Sequence, residues 1–331
     1  MRQFAYARAE NTETALQLIA RHQNAKFLGG GTNLVDLLRE NIEQPDCLVD
    51  VTGLPHAAIE ALLGGGIRIG ALVRNSHLAA NRMIRERYPV LSQAILQGAS
   101  GQIRNMATTG GNIMQRTRCY YFYDGEARCN KRVPGAGCDA LEGFNRMHAI
   151  LGASDACIAT HPSDMCVALA ALDAIIRVRG MGGEREIPMV EFHRLPEDTP
   201  QIDTHLQPGE LITAVDVPAL PFARHSLYRK VRDRASYAFA LVSVAAALEV
   251  EDGTIVNARL ALGGVAHKPW RAVTAEHVLV GATANIETFK AAAAAELKPA
   301  RGYKHNAFKI ELAGRTIVSV LQSLLAAGGA P

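Results

Sequence analysis

The stretch KFLGGGTNLVDLLREN, Lys26 to Asn41, runs from a short apolar segment through three consecutive glycines to Thr32 and Asn33. It then enters Leu34, Val35, Leu37 and Leu38 at helical spacing. The pattern predicts a strand, a glycine loop and a helix capped by Thr32 or Asn33. Bare glycine backbone lets N–H groups approach an anion, and a helix N-terminus adds partial positive charge. GGGTN therefore reads either as a phosphate cradle or as a tight turn. It is neither G-x-G-x-x-G nor a P-loop, which removes the main support for a Rossmann or NTPase reading. Upstream, Thr12 is expected to cap a helix TETALQLIARH. Downstream, Cys47–Val51 and Ile67–Leu72 read as strands, so the first 56 residues form a small α/β unit.

From Ser76 the runs SHLAANRMIRER and YPVLSQAILQGA predict two helices, followed by a loop SGQIRNMATTGGNIMQ. Residues 117–148 show neither helical nor strand period and read as an insertion, since so long a structureless loop needs a reason to stay ordered. Beyond it, MCVALAALDAI predicts a helix, and IIRVRG and Ile212–Val217 predict strands. Pro218 and Pro221 mark a linker. LVSVAAALEV, the turn Asp252-Gly253 and IVNARLALGGVA form an expected hairpin, and two apolar-striped helices, NIETFKAAAAAEL and FKIELAGRTIVSVLQSLLAAG, close the chain. The expected domains are 1–56, 57–220 with an insertion near 117–157, and 221–331.

At 331 residues, 48% apolar and 20% charged, the chain can bury two or three cores. A net charge of +3 without one basic block, together with 5% aromatics, gives no nucleic-acid footprint. The apolar stretch Ala238–Leu248 is far short of the ~20 residues of a membrane span, and MRQFAYARAE lacks a signal-peptide core. The expectation is a soluble protein with no membrane span and no export address of its own.

Three further polar segments stand out. TTGGN, Thr108 to Asn112, repeats bare backbone with hydroxyl and amide donors, and two such loops favour one extended ligand gripped twice. Thr160–Asp164 places a hydroxyl, an imidazole and a carboxylate at a helix start, where Ser163 and Asp164 also serve as ordinary caps. In HSLYRKVRDR, strand alternation puts Tyr228, Lys230 and Arg232 on one face, a row able to balance a pyrophosphate or to sit in solvent.

Six cysteines are too few for a disulfide scaffold, yet five fall between Cys119 and Cys166. Cys119, Cys129, Cys138 and Cys157, spaced C-x9-C-x8-C-x18-C, lack the C-x2-C pair of a zinc finger. Single free cysteines are usually small core residues, but this Gly-, Pro- and Arg-rich segment has little core of its own. A metal centre would supply order: a [4Fe–4S] cluster balanced by Arg116, Arg118, Arg128, Lys131 and Arg132, or zinc. Cys166 and Cys47 read as core residues.

KFLGGGTNL, TTGGNIMQ, ATHPSD and YRKVRDRASYAFALVSVAAAL, in this order and with IGALV and ALGGVAHKPWR between and after them, resemble the FAD-binding subunits of the molybdenum hydroxylases, the xanthine dehydrogenase and carbon monoxide dehydrogenase flavoprotein family. The likeness covers essentially the whole chain. It implies an α+β protein with the vanillyl-alcohol oxidase-type FAD-binding fold: two α/β subdomains plus a C-terminal α+β domain of the carbon monoxide dehydrogenase flavoprotein type. Carried over by position, Lys26, Phe27, Leu28, Gly29, Gly30, Gly31, Thr32, Asn33 and Leu34 would wrap the diphosphate through backbone amides. Thr108, Thr109, Gly110, Gly111 and Asn112 would make the second phosphate and ribityl contact, Asp164 would bond cofactor hydroxyls, and Lys230 would approach the flavin. His161 reads more readily as structural. The inserted cysteines are similar to those of a subset, the bacterial periplasmic aldehyde oxidoreductases, which implies a [4Fe–4S] cluster on Cys119, Cys129, Cys138 and Cys157. The same resemblance implies a partner molybdenum-cofactor subunit, a [2Fe–2S] subunit, an external electron acceptor and co-export to the periplasm with a partner. Competing readings are a self-contained flavin oxidoreductase and a zinc-stabilised binding subunit.

Overall fold

The computed structural model describes residues 1–328. Its three sheets succeed one another along the chain. The first, formed by β1 (Ala5–Arg8), β2 (Ala25–Leu28) and β3 (Cys47–Asp50), is parallel with order β1-β3-β2. Its crossover helices are Thr12–Ala20 and Leu34–Arg39. Asn11, rather than Thr12, caps the first: its Oδ1 accepts from the Thr14 amide at 2.8 Å. Leu16, Ile19 and Val49 fill the small core beneath.

The second sheet holds β4 (Ile59–Ala61), β5 (Ile67–Gly70), β6 (Ile175–Gly180), β7 (Gly183–Pro188) and β8 (Leu211–Val217). Its order is β4-β5-β8-β6-β7, and every pair is antiparallel. Between β5 and β6 the chain makes a series of short helices. SHLAANRMIRER is not one helix: Asn81 leaves the helical backbone and caps Arg82–Arg87 through its side chain. The segment expected as a loop after Gly98 contains two short helices, Gly101–Met106 and Thr109–Ile113, capped by Ser100 and Thr108.

The third sheet is antiparallel: β9 (Ser226–Val231), β10 (Val242–Glu251), β11 (Thr254–Gly263) and β12 (Trp270–Arg271), in the order β12-β11-β10-β9. Asp252 and Gly253, both at positive φ, make the two-residue turn of the β10–β11 hairpin. Period-two alternation divides β10 between two cores. Val242, Val244, Ala246 and Leu248 face the C-terminal helices, including Phe308–Gly328, while Ala245 joins the core around the helix Asp164–Ala171. Phe308–Gly328 is long and apolar enough to cross a membrane, unlike anything expected from the sequence. It is instead seated on this sheet by buried Ala313, Ile317, Val320 and Leu321.

Every residue of Asp164–Ala171 is buried. It lies so close to the third sheet that a Cβ on Gly263 would stand 2.5 Å from Val167 Cγ2. This packing fixes Asp164 at the meeting point of the second and third sheets.

Candidate cofactor site

Six consecutive backbone amides, Gly29 to Leu34, donate to no protein acceptor among the described residues. Gly31 curls the loop with φ +72°, and the chain then continues as the six-residue helix Leu34–Arg39. A concave run of unbonded N–H groups is an anion site in its own right, and so short a helix adds little to it. Lys26, Phe27 and Leu28 lead into this run. They belong to β2 and are paired with Leu48, Val49 and Asp50, while the Lys26 ammonium pairs with Glu43 at 3.4 Å. The uninterrupted run of unbonded amides begins at Gly29.

The second glycine segment packs directly on the first. A Cβ on Gly29 would lie 3.1 Å from Thr108 Oγ1, and one on Gly30 would lie 2.0 Å from the Met106 carbonyl oxygen. Its own backbone is not bare, however. The Thr109 and Gly110 amides donate to Val73 O and Ala71 O at 2.9 and 2.8 Å, Thr109 Oγ1 donates to Val73 O at 3.0 Å, and the Gly111 and Asn112 amides fold back onto Thr108. Thr109 and Gly110 are buried structural residues that clamp the loop beside β5. Asn112 Oδ1 accepts from Ser163 Oγ at 2.5 Å, which ties this loop to the ATHPSD segment.

Asp164 borders a cavity of about 150 Å³ with Met147, His148, His161, Ser163 and Phe239. Behind it, Tyr228 Oη donates to Asp164 Oδ1 at 2.5 Å and Lys230 Nζ donates to Oδ2 at 2.7 Å. Both side chains of the Asp164–Lys230 pair are buried, at 7% and 2% exposure. Tyr228 and Lys230 do share a strand face, but the Lys230 charge is spent on Asp164 and on the Gln97 carbonyl. Arg232 also donates to Gln97 O. Tyr228 and Lys230 form a buried clamp on Asp164, and Arg232 beside them is half-buried.

Cys119, Cys129, Cys138 and Cys157 line one small chamber, and none forms a disulfide. Cys129 and Cys138 face each other across an isolated antiparallel bridge, and Cys119 begins the turn Tyr120–Tyr123. Burial pushes the Cys119 thiol up to about 12 and the Cys157 thiol up to about 11, so bare thiolates there would need a cation to form. Cys166 lies elsewhere, inside the helix Asp164–Ala171. The neighbouring cations act differently from the expected charge balance. Buried Lys131 donates to Pro200 O at 2.6 Å and pairs with Asp203, and Arg116 pairs with Glu43 and Asp203. Arg132 gathers the carbonyls of Tyr121, Phe122, Gly125 and Ala127, and Arg128 pairs with Asp139. These side chains staple the insertion to itself, to Glu43 near the first sheet, and to Pro200 and Asp203.

Residues 2–220 match the family model of the FAD binding domain in molybdopterin dehydrogenase, and residues 226–324 match the CO dehydrogenase flavoprotein C-terminal domain. The chain belongs to the FAD-binding subunits of the molybdenum hydroxylase family. It is 53% identical to the aldehyde oxidoreductase FAD-binding subunit PaoB of Escherichia coli (strain K12), over 97% of this chain and 98% of that one. It is 30% identical to the glyceraldehyde dehydrogenase medium chain of Sulfolobus acidocaldarius, over 87% and 85%. Among solved structures, quinoline 2-oxidoreductase from Pseudomonas putida 86 superposes with a TM-score of 0.76 at 22% identity, covering 98% of both chains. The carbon monoxide dehydrogenase of Hydrogenophaga pseudoflava that lacks the Mo-pyranopterin moiety gives 0.76 at 23%, again over 98% of both. The α+β architecture is thus that of the flavoprotein chains of this family, and this FAD-binding subunit is the flavoprotein part of an oxidoreductase.

In this FAD-binding subunit, ligand-type atoms of His161, Cys166 and His193 lie within 4.8 Å of one another. The hydrogen bonds argue against a metal there. His161 Nδ1 accepts from the Ser163 amide at 3.3 Å, which leaves the ring hydrogen on Nε2, so neither nitrogen of His161 offers a free lone pair. His193 Nε2 meets the Ile113 carbonyl at 2.9 Å, and the two rings pack with centroids 4.2 Å apart. His161 is a structural member of a buried imidazole pair. Tyr228 is expected only in a strand row with Lys230 and Arg232, without its bond to Asp164, and nothing is expected of His148, whose Nε2 lies 3.1 Å from Cys119 Sγ. Their partners are 64 and 29 residues away, and no local pattern announces them.

Proposed function

We propose that this subunit carries electrons within a molybdenum-cofactor aldehyde oxidoreductase. It receives them from the molybdenum subunit through a [2Fe–2S] subunit and delivers them to an external acceptor, with an additional [4Fe–4S] cluster held by Cys119, Cys129, Cys138 and Cys157. The aldehyde specificity rests on the 53% identity to the E. coli subunit. The observation that carries the redox reading is structural: Thr117 and Cys119 line both the cavity beside Asp164 and the thiol chamber. Two redox groups would share one wall.

FAD, when bound, supplies one- and two-electron chemistry, and an iron–sulfur cluster exchanges single electrons. The chain's own residues do the holding. The amides of Gly29–Leu34 fit a diphosphate, Thr108 borders them with a hydroxyl, Asn112 ties the second loop to Ser163, and Asp164 stands fixed by Tyr228 and Lys230 to accept from a cofactor hydroxyl. Met147, Val167 and Phe239 give the cavity apolar walls. Because Asp164 is already committed to two donors, it is poorly placed as a free general base, and this disfavours a self-contained enzyme acting on its own substrate.

The cluster is preferred over zinc on the resemblance of the inserted cysteines, which lack a C-x2-C pair, to those of the cluster-bearing subset. Iron, zinc, acid-labile sulfide and flavin analysis of the anaerobically purified complex tests the proposal. One FAD with four irons and four sulfides in excess of those contributed by the [2Fe–2S] subunit supports it, whereas zinc in place of that excess iron, or no bound flavin after reconstitution, overturns it. The proposed location is periplasmic, reached by folded co-export with a partner bearing a twin-arginine signal. Fractionation with and without that partner's signal checks it.

A further inference from the structure

His148 stands between the two cavities. Its ring lines the larger one beside Asp164, while its Nε2 lies 3.1 Å from the Sγ of Cys119, which also lines the thiol chamber. The residue is 2% exposed, and its Nδ1 has no hydrogen-bond partner, so no acceptor in the surroundings claims the ring hydrogen on that side. Its main chain is held from several directions. The His148 amide donates to Asn145 O at 3.0 Å, and its carbonyl accepts from Asn306 Nδ2 at 3.2 Å and Lys309 Nζ at 2.7 Å. Lys309 is fully buried and also donates to Gly264 O. Asn145 is tied in turn to the C-terminal segment through the His305 amide at 2.9 Å. A buried lysine whose described bonds go to backbone carbonyls, and not to an acid, is an expensive arrangement. Its visible effect is to fix where His148 sits.

We propose that His148 is a positioning residue for the cysteine-held cluster, donating its Nε2–H to Cys119 Sγ and so raising the cluster's reduction potential. The inference rests on the [4Fe–4S] reading above. A thiol that has given its proton up on binding metal can only accept, so the ring hydrogen must lie on Nε2 in that state. Reduction adds negative charge that spreads onto the ligating sulfurs, and a donor aimed at one of them stabilises the reduced form over the oxidised one. The fixed backbone keeps the donor from turning away.

The test is a redox titration of the assembled complex followed by electron paramagnetic resonance, comparing wild type, His148→Leu and His148→Gln. His148→Leu is expected to keep iron, sulfide and FAD, and to lose about tenfold in the cluster's reduction equilibrium. For a one-electron couple that is a shift of about 59 mV to lower potential. His148→Gln, which retains an N–H donor, is expected to recover most of it. An iron-loaded His148→Leu complex with the wild-type midpoint would overturn the inference. Histidine-selective ¹⁵N labelling of the wild-type complex gives a second readout that needs no variant: a weak imidazole nitrogen coupling to the reduced cluster is expected, and its absence counts against the bond. A wild-type complex with zinc in this subunit, or with no iron beyond that of the [2Fe–2S] subunit, defeats the cluster reading itself, whereas one that bears the additional iron and fails these two measurements defeats only the role of His148.

Discussion

Gly30 is wedged against the Met106 carbonyl, where a Cβ would stand 2.0 Å from the oxygen. The close approach joins the two glycine segments, so a side chain at position 30 acts first on the protein and only then on a ligand. Gly30→Val must push residues 29–34 away from 106–108 and break the cradle's shape. The expected outcome is loss of FAD together with destabilisation of at least ~1–3 kcal/mol from overpacking. Gly64→Ala, whose added carbon meets nothing within 4 Å, serves as the control and should keep both flavin and stability. Flavin absorbance and thermal melts measure the two effects, and full FAD occupancy in Gly30→Val would refute the juxtaposition as the source of binding.

Ligand assignment among the cysteines follows from which chamber each side chain lines. Cys129→Ser is expected to lose most of the iron that this subunit holds while keeping FAD, since none of residues 29–34 lines the thiol chamber. Cys166→Ala removes a thiol from the helix Asp164–Ala171 and should leave the iron content unchanged. Iron and sulfide assays decide the matter; equal iron in Cys129→Ser and wild type would remove Cys129 from the ligand set.

Much of this was legible in the sequence because it is local. The β10–β11 hairpin announces itself through Asp252-Gly253 and flanking apolar residues, and the cysteines could be grouped because residues 117–148, which hold three of the four, have little apolar material in which lone thiols would be buried. What escaped was set by distant partners. Asn81 breaks a continuous helical pattern because it caps the following turn, a choice settled by how Ile84 and Leu78 pack beneath it. Lys131 and Arg132 read as counter-charges, yet the acceptors they reach are carbonyls exposed by turns and Asp203, 72 residues on. The TTGGN segment looked like free backbone because its acceptors, Ala71 O and Val73 O, belong to a chain segment nearly forty residues earlier.

The buried pair Asp164–Lys230 should behave as a unit. Asp164→Asn leaves an ammonium buried opposite a neutral amide, and removing one partner of a buried pair typically costs ~3–5 kcal/mol. Lys230→Met strands the carboxylate instead, with Tyr228 as its remaining donor. The double variant Asp164→Asn/Lys230→Met is expected to be more stable than the sum of the single losses implies, because neither charge is left alone. Urea denaturation of the four proteins completes the cycle; strict additivity would mean that the pair contributes no coupling.

Acid sensitivity provides the remaining prediction. Burial pushes the His193 imidazole down to about 4, with the Ile113 carbonyl and Asp203 opposing the shift. In the unfolded chain the same group binds a proton near its ordinary value of about 6.5. Between those limits the unfolded state holds more protons than the native one, so stability is complete above about pH 6.5 and falls as the pH drops toward 4. The full window corresponds to about 3 kcal/mol at 1.36 kcal/mol per unit. His193→Gln, whose side-chain amide can still donate to Ile113 O, does not titrate here and should lower stability at neutral pH while flattening the decline between pH 6.5 and 4. The check is melting temperature against pH for both proteins; parallel curves across that interval would show that His193 does not supply the acid-sensitive step.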